Sequence, residues 1–114
     1  MSQHANSQNW TPVCKLSDIA PNTGVCALVR GAQVAIFRQA GSDALFAIGN
    51  FDPVGKANVL SRGLLAQLGD KITVASPLYK QHYCLRSGDC LENAELCVPV
   101  YPVRLNADAV EVAA

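Results

Sequence analysis

The stretch Val25-Cys26-Ala27-Leu28-Val29-Arg30-Gly31-Ala32-Gln33-Val34-Ala35-Ile36-Phe37 sets two apolar runs on either side of Arg30-Gly31-Ala32. Each run is the length of a strand, and Gly31 can take the positive φ that a tight hairpin needs. Two antiparallel strands are therefore expected. The pattern repeats outward in both directions. Short runs rich in Val, Ile, Leu and Phe lie at 10–14, 45–48, 72–75, 83–85, 96–103 and 110–112, separated by six Pro and eight Gly. The longest stretch free of both is 103–114, so long helices have nowhere to form. Many short strands divided by turn signals read as an all-β fold. Residues 39–43 and 106–109 supply further turns. Pro99 and Pro102 cannot donate to a ladder, which marks 96–103 as an edge strand or an irregular extended segment. Two connections exceed a hairpin loop, 50–71 and 76–81. In the first, Ser61 is expected to cap a short helix over 63–68.

A chain of 114 residues has roughly 6,000 Å² of surface when folded against about 17,500 Å² unfolded, enough to bury one core. The expected organisation is a flexible polar tail over 1–9 and a single domain over 10–114. Charged residues make up 16% of the chain, with nine basic and nine acidic side chains, where about 25% is usual. Low charge and no net charge favour a chain that sits against a partner or self-associates. Residues 1–88 carry eight basic and four acidic side chains, and 89–114 carry one and five. Neither half has the basic cluster interleaved with aromatics that nucleic acid requires. No charged, apolar leader opens the chain, and no run reaches the length of a membrane span, so a cytoplasmic protein is expected. The five cysteines are odd in number and should stay reduced. Cys26, inside an apolar run, reads as a small buried hydrophobe.

Few residues suggest chemistry. His82 with Cys84, Cys90 and Cys97 supplies zinc-type donors, but the close CxxC pair that such sites usually show is missing. His82 and Cys84, two apart on a strand, stand about 6.5 Å from each other, too far for a catalytic dyad. His4 lies in the tail. No nucleotide, hydrolase or zinc-protease signature occurs. Asp52 could pair with Asp70 across the long connection, or each could be a solvated loop carboxylate. Arg62, between Ser61 and Gly63, is either an anion or carboxylate contact or a plain surface arginine.

The segment Leu45-Phe46-Ala47-Ile48, then Asn50-Phe51-Asp52-Pro53-Val54 and Leu60-Ser61-Arg62-Gly63, resembles the first cluster loop of a Rieske-type [2Fe-2S] domain. Val74-Ala75-Ser76-Pro77-Leu78-Tyr79, with Tyr83, Leu85 and Ser87-Gly88, resembles the second. Rieske loops supply two cysteines to one iron and two histidines to the other. At the matching positions this chain has Asp52 and Val54 in the first loop, and Ser76 and Tyr79 in the second. All four ligands are replaced, while Pro53 and Pro77 remain.

A Rieske-like domain altered in this way, with VLSRGL at 59–64, VASPL at 74–78 and YPVRL at 101–105, resembles the small subunits of cytoplasmic NAD(P)H-dependent nitrite reductases. The resemblance spans residues 10 to about 112. It implies a small antiparallel β-sandwich or partly open barrel, with no cofactor, metal or catalytic residue in this chain. It further implies a large-subunit partner that holds FAD, a [4Fe-4S] cluster and sirohaem, draws on NAD(P)H and reduces nitrite to ammonia in nitrate assimilation. The small chain would be an accessory that docks through its emptied loops, with Asp52, Pro53, Arg62, Ser76, Pro77, Tyr79 and Tyr83 at or near the interface. Tyr79 either anchors the partner or fills the space a cluster would take. The alternatives are a free-standing β binding module for another reductase or a small ligand, and a Rieske-type electron carrier with unusual ligands.

Overall fold

The computed structural model describes residues 9–114, so His4 and nearly all of the expected tail lie outside the described residues. The strands are β1 (Trp10–Lys15), β2 (Thr23–Val29), β3 (Ala32–Arg38), β4 (Leu45–Gly49), β5 (Phe51–Asp52), β6 (Ala57–Asn58), β7 (Leu64–Leu68), β8 (Lys71–Ala75), β9 (His82–Cys84), β10 (Val100–Tyr101), β11 (Val103–Asn106) and β12 (Ala109–Ala113). They form antiparallel sheets in the orders β1-β12-β11, β10-β4-β3-β2, β5-β6 and β7-β8-β9. The expected hairpin is β2–β3: Val29 pairs with Ala32, and Arg30 (φ 50°) and Gly31 (φ 87°) are both left-handed, as a two-residue turn of this hand requires.

Strands β3 and β4, in the middle of the β10-β4-β3-β2 sheet, are buried on both faces, which is why Val34, Ala35, Ile36 and Phe37 are all apolar rather than alternating. Ala35, Phe37, Phe46 and Ile48 face one core with Leu60, Ile72, Val74, Tyr83 and Leu85. Val29, Val34, Ile36 and Ala47 face a second core with Ile19, Val110 and Val112. The sheets thus stack around a shared central layer instead of closing into a barrel. Segment 96–103 is divided as its prolines demand: β10 lies at the sheet edge beside β4, and Pro99 and Pro102 only accept, from the Gly49 and Ala113 amides, both at about 3 Å.

Three expectations need correction. Residues 63–68 form no helix. Leu60–Arg62 is a 3-10 turn without a side-chain cap, and Leu64–Leu68 is strand β7, paired residue by residue with β8. Helical local propensity loses there to burial of Leu65 against the Phe37–Tyr83 core. Cys26 is exposed, because β2 is an edge strand whose Val25, Ala27 and Val29 turn inward and whose Cys26 and Leu28 turn out. Asp52 is no solvated loop carboxylate and does not meet Asp70: it is fully buried, while Asp70 is exposed at the tip of the β7–β8 hairpin.

Candidate functional site

Two loops of the same design stand side by side. The first, Asp52-Pro53-Val54-Gly55-Lys56, joins β5 to β6. The second, Ser76-Pro77-Leu78-Tyr79-Lys80, leaves β8 on the way to β9. In each, the first side chain accepts from the amide two residues on: Val54 N–H to Asp52 Oδ1 at 2.9 Å, and Leu78 N–H to Ser76 Oγ at 3.2 Å. In each, the amide of the closing lysine donates to the carbonyl of the first residue, Lys56 to Asp52 at 2.7 Å and Lys80 to Ser76 at 3.1 Å. Both lysines are left-handed, with φ of 57° and 65°. These short side chain to backbone bonds rigidify a turn without any metal.

The loops are also bonded to each other. The Ser76 hydroxyl donates to Asp52 Oδ2, and both residues are fully buried. Leu78 leans over Gly55, where a Cβ would collide with the Leu78 side chain and come within 3.1 Å of Asp52 Oδ2. Glycine at 55 is what lets the loops close. Beneath them Tyr83 is fully buried, and among the described residues its hydroxyl has no hydrogen-bond partner. Burial first, then the Asp52 carboxylate and the nearby Cys90 and Glu92, push its pKa up to about 12. A phenol with a raised pKa keeps its proton more tightly in the folded state, so its contribution to stability is complete below pH 10 and is lost as the pH rises towards 12. In a spectrophotometric titration of the three tyrosines, Tyr83 is expected to ionise last, together with loss of stability. A titration in which all three ionise together near pH 10 with the fold intact would contradict this.

The donor set does not fit a [2Fe-2S] cluster. Asp52 and Ser76 occupy each other, Val54 offers only carbon, and Tyr79 is 61% exposed, pointing away from the closed space. Tyr79 therefore stands at the surface, while Leu78 packs over Gly55 and the Asp52–Ser76 pair lies buried between the loops. His82 makes no dyad with Cys84. Its Nδ1 is 2.6 Å from Glu92 Oε2 and its amide donates to Glu92 Oε1 at 2.7 Å. Burial pushes the Glu92 carboxyl up, but the His82 amide and imidazole outweigh it and hold it below the usual range. Among the described residues no group of three His, Cys, Asp or Glu side chains is arranged to hold a metal ion.

The expected interface residues divide by depth. Asp52, Ser76 and Tyr83 are buried and shape the loops from below, so they offer no area to a partner; β9 turns Tyr83 inward against the core. Pro53, Arg62, Pro77 and Tyr79 remain at or near the surface. Asn50 places Arg62: its Oδ1 accepts from the Ser61 amide at 2.7 Å and its carbonyl from Leu60 at 3.1 Å, tying the 3-10 turn to the end of β4. Reading the residues in order missed Lys56, Lys80, Leu78 and Leu64. The repeated spacing of Asp/Ser-Pro followed three residues later by Lys carried the signal for the two lysines.

The fold and the paired loops define a Rieske-like domain. The sequence pattern of the family described as "Rieske-like [2Fe-2S] domain" matches residues 9–113. Over 103 residues the chain is 48% identical to the nitrite reductase (NADH) small subunit of Salmonella typhimurium, covering 90% of this chain and 95% of the relative. The NMR structure of the Escherichia coli protein NirD superposes with a TM-score of 0.86 at 45% identity, covering 94% of this chain and 97% of that one. The chain belongs to the nitrite reductase small subunits, within the Rieske-like family. It is also 39% identical over 99 residues to a segment of the nitrite reductase [NAD(P)H] large subunit of Klebsiella oxytoca, covering 87% of this chain and 10% of that protein. There a domain of this kind is part of the large chain itself.

Proposed function

We propose that this chain is the accessory subunit of a cytoplasmic NAD(P)H-dependent nitrite reductase of nitrate assimilation, that it carries no cluster, and that it docks through its loop face on a large subunit bearing FAD, a [4Fe-4S] cluster and sirohaem. The observation that carries this reading is the Asp52–Ser76 hydrogen bond, which closes the loops where a Rieske domain holds two thiolates. A redox step belongs to a cofactor, and the donors here are spent on one another. What remains at the loop face is a rigid surface with Tyr79 and Leu78 exposed by 61% and 47%. An aromatic with a polar tip is a favoured anchor in interfaces. The domain embedded in the Klebsiella large subunit supports the choice of partner, since a contact made between subunits in one organism can be made within one chain in another.

The test is reconstitution. Added to a purified large subunit, the chain is expected to raise nitrite-driven NAD(P)H oxidation while leaving oxidation by an artificial acceptor unchanged. The chain purified without oxygen should contain far less than one iron per molecule. Stoichiometric iron and sulfide held by the loops would overturn the reading.

A further inference from the structure

Beside the second loop lies a cavity of about 330 Å³, lined by Arg62, Gly63 and Leu64 at the start of β7, Ala75, Ser76 and Pro77 at the end of β8, and Lys80. Two of these residues are cations and none is acidic. Arg62 and Lys80 are exposed, and among the described residues neither takes part in an ion pair; the three pairs present are Arg38–Asp43, His82–Glu92 and Arg104–Glu111. The imbalance extends beyond the cavity. Residues 53–88 contain five basic side chains and a single acidic one, Asp70. Asp70 sits at the far tip of the β7–β8 hairpin, about 16 Å along the chain from the cavity residue Ala75. The carboxyl of Asp52, bonded to the cavity residue Ser76, is fully buried. Arg62 and Lys80 are thus exposed and, among the described residues, outside any ion pair. Next to them Leu64 is 75% exposed, and Tyr79, the neighbour of Lys80, is exposed too.

We propose that this cavity receives an acidic side chain of the large subunit, its carboxylate held between the Arg62 guanidinium and the Lys80 ammonium while an adjoining apolar residue covers Leu64. The proposal rests on the docking reading above and adds the chemistry of the contact. The volume is several times that of a lone oxyanion, since a water molecule takes about 30 Å³, and suits a side chain arriving with its backbone. The planar fork of Arg matches a carboxylate with two parallel hydrogen bonds, and Lys adds a point charge that needs no fixed geometry. Apolar area at the rim excludes water from the pair and strengthens it.

The experiment measures the affinity of the full chain for the purified large subunit at low and high salt, for wild type, Arg62→Gln, Lys80→Gln, the double variant and Lys71→Gln. Removing one cation should weaken binding about tenfold, and removing both by more, because one partner of a desolvated charge contact is lost. The salt dependence of the double variant should be shallower than that of wild type. Lys71, exposed at the other end of β8, should matter less than twofold. Unchanged melting temperatures would show that the variants fold, as expected for exposed side chains outside any ion pair. Wild-type binding that the double variant matches within twofold, with the same salt dependence, would overturn the cavity contact while leaving docking intact. Absence of binding by wild type would overturn both.

Discussion

The combined variant Asp52→Cys, Val54→His, Ser76→Cys and Tyr79→His, assembled with iron and sulfide without oxygen, is expected to bind about two irons per chain and to show the visible absorbance of a [2Fe-2S] centre with mixed ligands. The prediction follows from how little must move. Residues 52 and 76 already approach to hydrogen-bonding distance across the loops, so cysteines there start near a common metal. Both turns are held by their own backbone bonds through Lys56 and Lys80, which none of the four substitutions removes. The largest rearrangement falls on position 79, whose side chain must swing inward as Leu78 swings away from Gly55. Iron, sulfide and absorbance of the combined variant are compared with wild type and with the two half-substituted chains. If the full set binds no more iron than wild type, the loops differ from those of a cluster domain in more than their four donor positions.

Asp52→Ala is expected to be the most damaging single substitution at the site. It strips the acceptor from the Ser76 hydroxyl and the Val54 amide and leaves a void under Leu78. Each buried polar group left unpaired costs about 1–3 kcal/mol, so a total of about 3–4 kcal/mol is reasonable, or about 15 °C in melting temperature for a domain of this size. Asp52→Asn should cost only about 1 kcal/mol, because its amide keeps an acceptor for Val54 and offers a donor that the Ser76 hydroxyl can accept. Denaturant unfolding of both variants decides the matter. Equal losses would assign the effect to the charge of Asp52, and a small loss in both would mean that the loops are closed by Leu78 and the turns alone.

Much of this protein could be read along the chain. Apolar runs of strand length, broken by Pro and Gly, require short antiparallel strands whatever surrounds them, since neither residue sustains a helix and both favour turns. The Asp52-Pro53-Val54 and Ser76-Pro77-Leu78-Tyr79 segments resemble the two loops of a Rieske-like plan, and the family pattern matches residues 9–113. Strand β7 was not legible, since Leu64-Leu65-Ala66-Gln67-Leu68 suits a helix as well as a strand and only pairing with β8 selects between them.

Residue type and spacing alone determined the strand-rich fold, the two matching turns and the lack of soft metal donors at their tips, because each is a local property. Depth was decided only in three dimensions. Packing of the strands exposed Cys26, buried Asp52, Ser76 and Tyr83, and brought Arg62 from one connection beside Lys80 from another. Burial and the meeting of distant charges depend on which sheet covers which face, and no short stretch of chain carries that information.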